Sequence, residues 1–312
     1  MLIRVGFEMV YQCPQPTPMI LALNIHYSRA SDIVRADHLI TNPPVPITAY
    51  RDMFGNWCSR IVAPAGRMVL SADGLINDTG QPDLVVPSAM QVPVELLPES
   101  TLVYLLGSRY CETDPLSNIA WQRFGSRPSG WARVQAVCDF VHHHIEFGYH
   151  HARRTRTAWE AYNEGKGVCR DYAHLAIALC RCLNIPARYC SGYLGDYATE
   201  PPWGTMDFAG WFEAFLGGRW YTFDARNNTP RASRIAHLDR ARPRRLRRGA
   251  GQHVRAEHAR GLQGLDRRCL GRLSDVLRRC QARTGLDLRE RLTHPCRRGQ
   301  LRQVLQDDRV GT

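Results

Sequence analysis

The order of apolar and polar positions divides the chain into stretches of different character. Up to about residue 100, short apolar runs (Leu2 to Tyr11, Met19 to Tyr27, Arg60 to Ala63, Met68 to Leu70) alternate with Pro, Gly, Asn and Asp. That rhythm predicts strands joined by turns, with Asp52 to Asn56 as one turn, and so an all-β sandwich. No constellation of residues in it suggests chemistry, which leaves it a packing or substrate-orienting role. Pro93 to Pro98 reads as a linker. From Thr101 the period lengthens: Trp131, Val134, Val137, Cys138, Val141 and Ile145 form one helical stripe with Ser129 as its N-cap. Thr157 to Glu164 forms a short helix that leads to Cys169. From Cys169 to Leu183, small and apolar residues (Ala173, Ala176, Ile177, Cys180, Leu183) again recur at helical spacing, until Asn184-Ile185-Pro186 stops the run.

Strand-like sequence follows at Ala187 to Tyr193. Then Trp211 to Leu216 and Arg219 to Asp224 flank Gly217-Gly218, the pattern of a hairpin with a primed two-residue turn. Such a turn sets Leu216 opposite Arg219 and, counting outward, Trp211 opposite Asp224. Position 209 then shares a face with Asp224 and lies diagonal to it.

Cys169 is the candidate nucleophile. On the first turn of its helix, unpaired backbone N–H groups and the positive end of the helix dipole stabilise a thiolate, the species that attacks. Gly165 and Gly167 allow a tight entry that leaves the sulfur accessible. A lone cysteine at a helix start is more often buried and inert, so the sequence around it has to carry the argument.

The stretches GVCRDYAHLAIALCRCLNIPARYCSGY and DFAGWFEAFLGGRWYTFDARNNTPR resemble the bacterial transglutaminase-like family, whose fold is related to that of papain-like cysteine proteases. The resemblance covers roughly residues 1 to 231. It implies a β-rich N-terminal region, Cys169 as nucleophile and Asp224 as the acid of a catalytic triad. The family's base is typically a histidine in a His-Ala-Trp segment, where this chain has Ala209-Gly210-Trp211. Alanine cannot take a thiol proton. Three substitutes are conceivable. His174, five residues along the helix and about 140° around it, should face elsewhere and reads as a helix-to-core polar contact. Asp207 would need its pKa raised by burial. The helix start alone could support slow chemistry.

Composition changes the picture at the C-terminal end. Residues 231–312 hold 22 arginines against eight acidic residues, whereas residues 1–230 hold 19 basic against 21 acidic; all 28 aromatics lie in the first 230. So charged a segment with so few large apolar residues can hardly bury a core. It is either an arginine-rich arm for nucleic acid or another polyanion, or the product of a shifted reading frame. The abrupt stop of family-like sequence near Arg231 favours the second, which would cost the core sheet its closing strands. Such a tail is expected to be disordered or weakly helical, as over Leu262 to Ala282.

Other motifs add little. Residues 142–144 and His150-His151 invite a metal, but consecutive helical residues point about 100° apart and cannot converge on one ion. Gly165-Lys166-Gly167 lacks the Lys-Ser/Thr pair of a phosphate loop. Trp159 either walls the site or packs in the core. Eleven cysteines without regular spacing fit a reducing compartment, and no signal peptide or long apolar span is present, so a cytoplasmic location is expected.

The sequence thus predicts an α+β protein: an N-terminal β-sandwich (residues 1–100), a papain-like transglutaminase core (101–231) and an arginine-rich tail (232–312). The expected function is amide hydrolysis or acyl transfer through a Cys169 thioester, with no cofactor or metal and a protein or peptide substrate. The alternatives are an inactive fold that binds peptides, favoured by Ala209, and polyanion binding through the tail.

Overall fold

The computed structural model describes residues 1–195, 208–240 and 255–261. The N-terminal region is all β. Strands β1 (Leu2–Cys13), β2 (Thr17–Leu21), β3 (Ile33–Arg35), β4 (Ile40–Asn42), β5 (Thr48–Arg51), β6 (Trp57–Ala63) and β7 (Gly66–Asn77) form two antiparallel sheets. In one, β1 and β7 pair along their whole lengths, with Val5 opposite Gly74 and Met9 opposite Leu70. In the other, β6 lies between β2 and β5. Alternate residues turn inward, and Val5, Phe7 and Met9 of β1, Met68 and Leu70 of β7 and Ile61 of β6 share one core between the sheets. The turn at Asp52 to Asn56 forms as expected, with the Asp52 carboxylate accepting from the backbone N–H of Phe54 and Asn56. The second apolar run stops being a strand at Leu21, and Tyr27 already opens a 3-10 helix of six residues.

Helices follow: α1 (Glu99–Leu102), α2 (Asp114–Phe124), α3 (Trp131–His144), α4 (Ala158–Glu164) and α5 (Cys169–Cys182), with the short parallel strands β8 (Glu146–Phe147) and β9 (Lys166–Gly167) between α3 and α5. The stripe Trp131, Val134, Val137, Cys138, Val141 and Ile145 is buried throughout. Its N-cap is Gly130, at φ 90°, rather than Ser129, and no side chain caps the helix. Gly130 is required there because a Cβ would stand 2.3 Å from the Ala89 carbonyl oxygen. Thr157 caps α4 in a full capping box with Glu160. Helix α5 ends at Cys182, two residues before Asn184 takes the left-handed conformation at φ 60°, so the stop precedes Pro186.

Beyond α5 stand β10 (Ala187–Leu194), β11 (Ala209–Leu216), β12 (Arg219–Phe223) and β13 (Arg234–Arg240), an antiparallel sheet in the order β12-β11-β10-β13. The hairpin has the expected register, with Leu216 opposite Arg219 and both turn glycines at positive φ. One face of this sheet (Ala187, Tyr189, Phe212, Ala214, Phe223) packs on α5, which is buried almost all round. The opposite face carries Cys190, Ala209 and Trp211 in a small cluster of their own.

The expectation for the arginine-rich part needs correction. Where it is described it is neither helical nor disordered: β13 pairs with β10, and β14 (Arg255–Gly261) pairs with β1. The core sheet therefore has a closing strand, because the start of this segment buries alternate positions, Ile235 and His237. Leu262 to Ala282 lies outside the described residues.

Candidate active site

Cys169 is the first residue of α5 and is half-buried. Its Sγ lies 4.0 Å from the carbonyl oxygen of Phe208, the residue that leads into β11. The start of α5 is anchored by Asp171, whose carboxylate accepts from the Val168 backbone N–H at 3.0 Å, from Arg156 at 3.1 Å and from Arg170 at 3.0 Å. Arg156 is buried too, and Glu164 at the end of α4 holds its other nitrogens. The candidate nucleophile's helix is thus pinned by a buried, fully paired carboxylate at the third position of its first turn.

Asp224 lies just past β12, continuing the register that pairs Phe223 with Phe212, and so faces Trp211. Its carboxylate is fully occupied. One oxygen accepts from the backbone N–H of Arg226 and Asn227 at 3.1 and 3.0 Å. The other accepts from the Asn227 side chain at 2.8 Å and from Arg234 Nη2 at 3.1 Å. Arg234 reaches from β13 across the sheet, its guanidinium 4.6 Å from the Trp211 ring centre, and also pairs with Asp83 at 3.1 Å. Helix α3 steadies the loop after Asp224, since His142 bonds the Arg226 carbonyl and Gln135 bonds Asn228.

Ala209 opposes Gly192 and lies on the face of Trp211, as its spacing implied. It contributes no polar group. The cation beside Asp224 is instead Arg234, on the same face. His174 is buried in the core, stacked on Tyr110 at 5.6 Å and 5.2 Å from Tyr189, and neither ring nitrogen has a hydrogen-bond partner among the described residues. It is a ring contact and not the polar contact expected. Burial, helped by Arg170 and Arg181, pushes its pKa well below the usual histidine range, so the ring is neutral. Asp207 lies outside the described residues. Trp159 packs against the main core and stacks on Tyr162 at 5.9 Å. The three consecutive histidines turn to three different carbonyls, those of Arg226, Asp139 and Tyr162. Among the described residues no group of three His, Cys, Asp or Glu could hold a metal.

Two residues near the site escaped the sequence reading. Arg234 was hidden among 22 arginines, and Tyr189 looked like one more core aromatic; the alternation that buries Ala187 and Tyr189 against α5 was the available signal.

The core profile of the transglutaminase-like superfamily matches residues 121–225, a span that contains both Cys169 and Asp224. Residues 121–225 form a transglutaminase-like domain. A crystal structure of a candidate cysteine protease from Cytophaga hutchinsonii is similar to the chain over 84% of its length and 90% of that protein, at 26% identity and a TM-score of 0.69. An uncharacterized protein of Mycobacterium leprae is 35% identical over 71 residues, 22% of this chain and 25% of that one. The match thus spans a quarter of the length of that curated relative. Among the described residues no helix is long and apolar enough to cross a membrane.

Proposed function

We propose that the transglutaminase-like domain performs acyl chemistry through Cys169. The thiolate adds to an amide carbonyl carbon of a protein or peptide. The tetrahedral intermediate collapses, the C–N bond breaks, the amine leaves with a proton from solvent, and a thioester remains on sulfur. Attack on that thioester by water gives hydrolysis, and attack by a second amine gives transfer; either returns the thiol. The observation that carries this reading is the half-buried sulfur on the first turn of α5, where the helix start favours a thiolate without an imidazole.

Ala209 and the Asp224 to Arg234 ion pair support a second reading, an inactive domain that binds peptides. The rate of iodoacetamide alkylation at Cys169 against pH, located by peptide mass mapping with Cys169→Ala as control, separates the two. A reactive thiolate well below the pKa of about 8.5 of an ordinary cysteine supports acyl chemistry. An unreactive thiol supports the binding domain.

A further inference from the structure

Gly210 stands where the family segment has alanine, and the space of the missing methyl is already taken. A Cβ at 210 would lie 2.8 Å from the Tyr189 hydroxyl and 3.4 Å from the backbone nitrogen of Arg170. Tyr189 rises from β10 on the face packed against α5, and its hydroxyl therefore ends beside the first turn of that helix, next to the residue that follows Cys169. Arg170 is the second residue of α5, so its N–H lacks a partner one turn back in the helix. Two residues before Gly210, the Phe208 carbonyl oxygen lies 4.0 Å from the sulfur. The Arg170 N–H and the Tyr189 hydroxyl thus lie together beside Gly210, and the Cys169 sulfur lies near Phe208, just ahead of the same strand.

On the acyl-chemistry reading above, we infer that the Tyr189 hydroxyl and the Arg170 backbone N–H are the two donors that receive the carbonyl oxygen as Cys169 attacks. When sulfur adds to the carbonyl carbon, the oxygen gains a full negative charge, and donors already oriented toward it lower the barrier. The phenol is suited to the part. Burial, and then the charge of a neighbouring Cys169 thiolate, push its pKa up, so it keeps its proton over the working range. Ser191, on the same face of β10, hydrogen-bonds the phenol oxygen and fixes its direction. Tyr189 gives a hydrogen bond and not its proton, so it replaces no part of a missing base.

The test compares two reactions of the same sulfur in the full chain. Acylation by p-nitrophenyl acetate builds an oxyanion; alkylation by iodoacetamide does not. Tyr189→Phe should slow acylation of Cys169 by about 10²-fold, the usual effect of deleting one such donor, and leave alkylation within about twofold. Gly210→Ala, which displaces the hydroxyl, should do the same and decides the matter alone if Tyr189→Phe does not fold. Equal acylation of wild type and both variants overturns the assignment while sparing the acyl chemistry, and so does a parallel loss of both reactions, which marks a packing role. Alkylation of wild type without acylation above the Cys169→Ala background overturns both.

Discussion

At the scale of single residues the candidate nucleophile Cys169 and the candidate acid Asp224 have no imidazole at position 209, where an alanine lies on the face of Trp211. Ala209→His restores an imidazole on the face of Asp224, and a general base is worth about 10²–10⁴-fold. The gain should fall at or below the bottom of that range, because both Asp224 oxygens are already engaged and Arg234 holds the place an imidazole would take beside Asp224. Acyl-enzyme turnover measured on Ala209→His checks this; a gain near 10⁴-fold would show that Asp224 exchanges partners readily. The places of Cys169 on the first turn of α5 and of Asp224 just past β12 were legible in the sequence because local signals mark them: a helix start after two glycines, and the far end of a glycine-turned hairpin. Tyr189 and Arg234 were not, since their neighbours at the site come from other elements. Nothing local tells Tyr189 from a core aromatic until Gly210 is seen to lie against its hydroxyl.

At the scale of elements, the start of α5 depends on a network that also joins α4. Asp171→Ala would leave the buried Arg156 with Glu164 as its carboxylate and the His151 carbonyl, and remove the acceptor of the Val168 N–H. Breaking a buried pair costs about 3–5 kcal/mol, so the midpoint of urea unfolding should drop with an unchanged slope. Arg234→Met is expected to cost a similar amount, about 3–5 kcal/mol, because Asp83 and Asp224 would both lose their cation. The hairpin of β11 and β12 was readable to the residue, since two glycines at positive φ fix both turn and register. The cap of α3 was not. Serine at 129 is the better capping side chain, but the close approach of Ala89 reserves the cap position for Gly130, a tertiary demand that no helical pattern records.

At the scale of the whole molecule, burial of neutral histidines makes stability depend on pH. Burial pushes His237 from 6.5 down to about 4, and His174 falls well below its usual value. Both are lowered in the folded state, so their contribution is intact above pH 6.5 and is lost as pH falls toward the folded values, when only the unfolded chain takes the proton. For His237 the loss approaches about 3 kcal/mol near pH 4. Asp37, whose carboxyl burial pushes up, acts in the opposite sense. Thermal unfolding between pH 7 and 4.5 should show the decline, and His237→Leu should flatten it. The order of β region, helices and final sheet was legible from period alone. The role of the arginine-rich start was not, because composition averaged over 82 residues concealed one strand that buries Ile235 and His237 at alternate positions. That strand has a consequence for limited digestion. Trypsin cuts after arginine and should find many sites in residues 231–312, yet it needs a locally extended, detached backbone. The backbone from Arg234 to Arg240 is tied into β10, and Arg234 is buried between two carboxylates. The resistant fragment should therefore keep Arg234 and end beyond β13, so the family-like portion and the arginine-rich strand behave as one protease-resistant body.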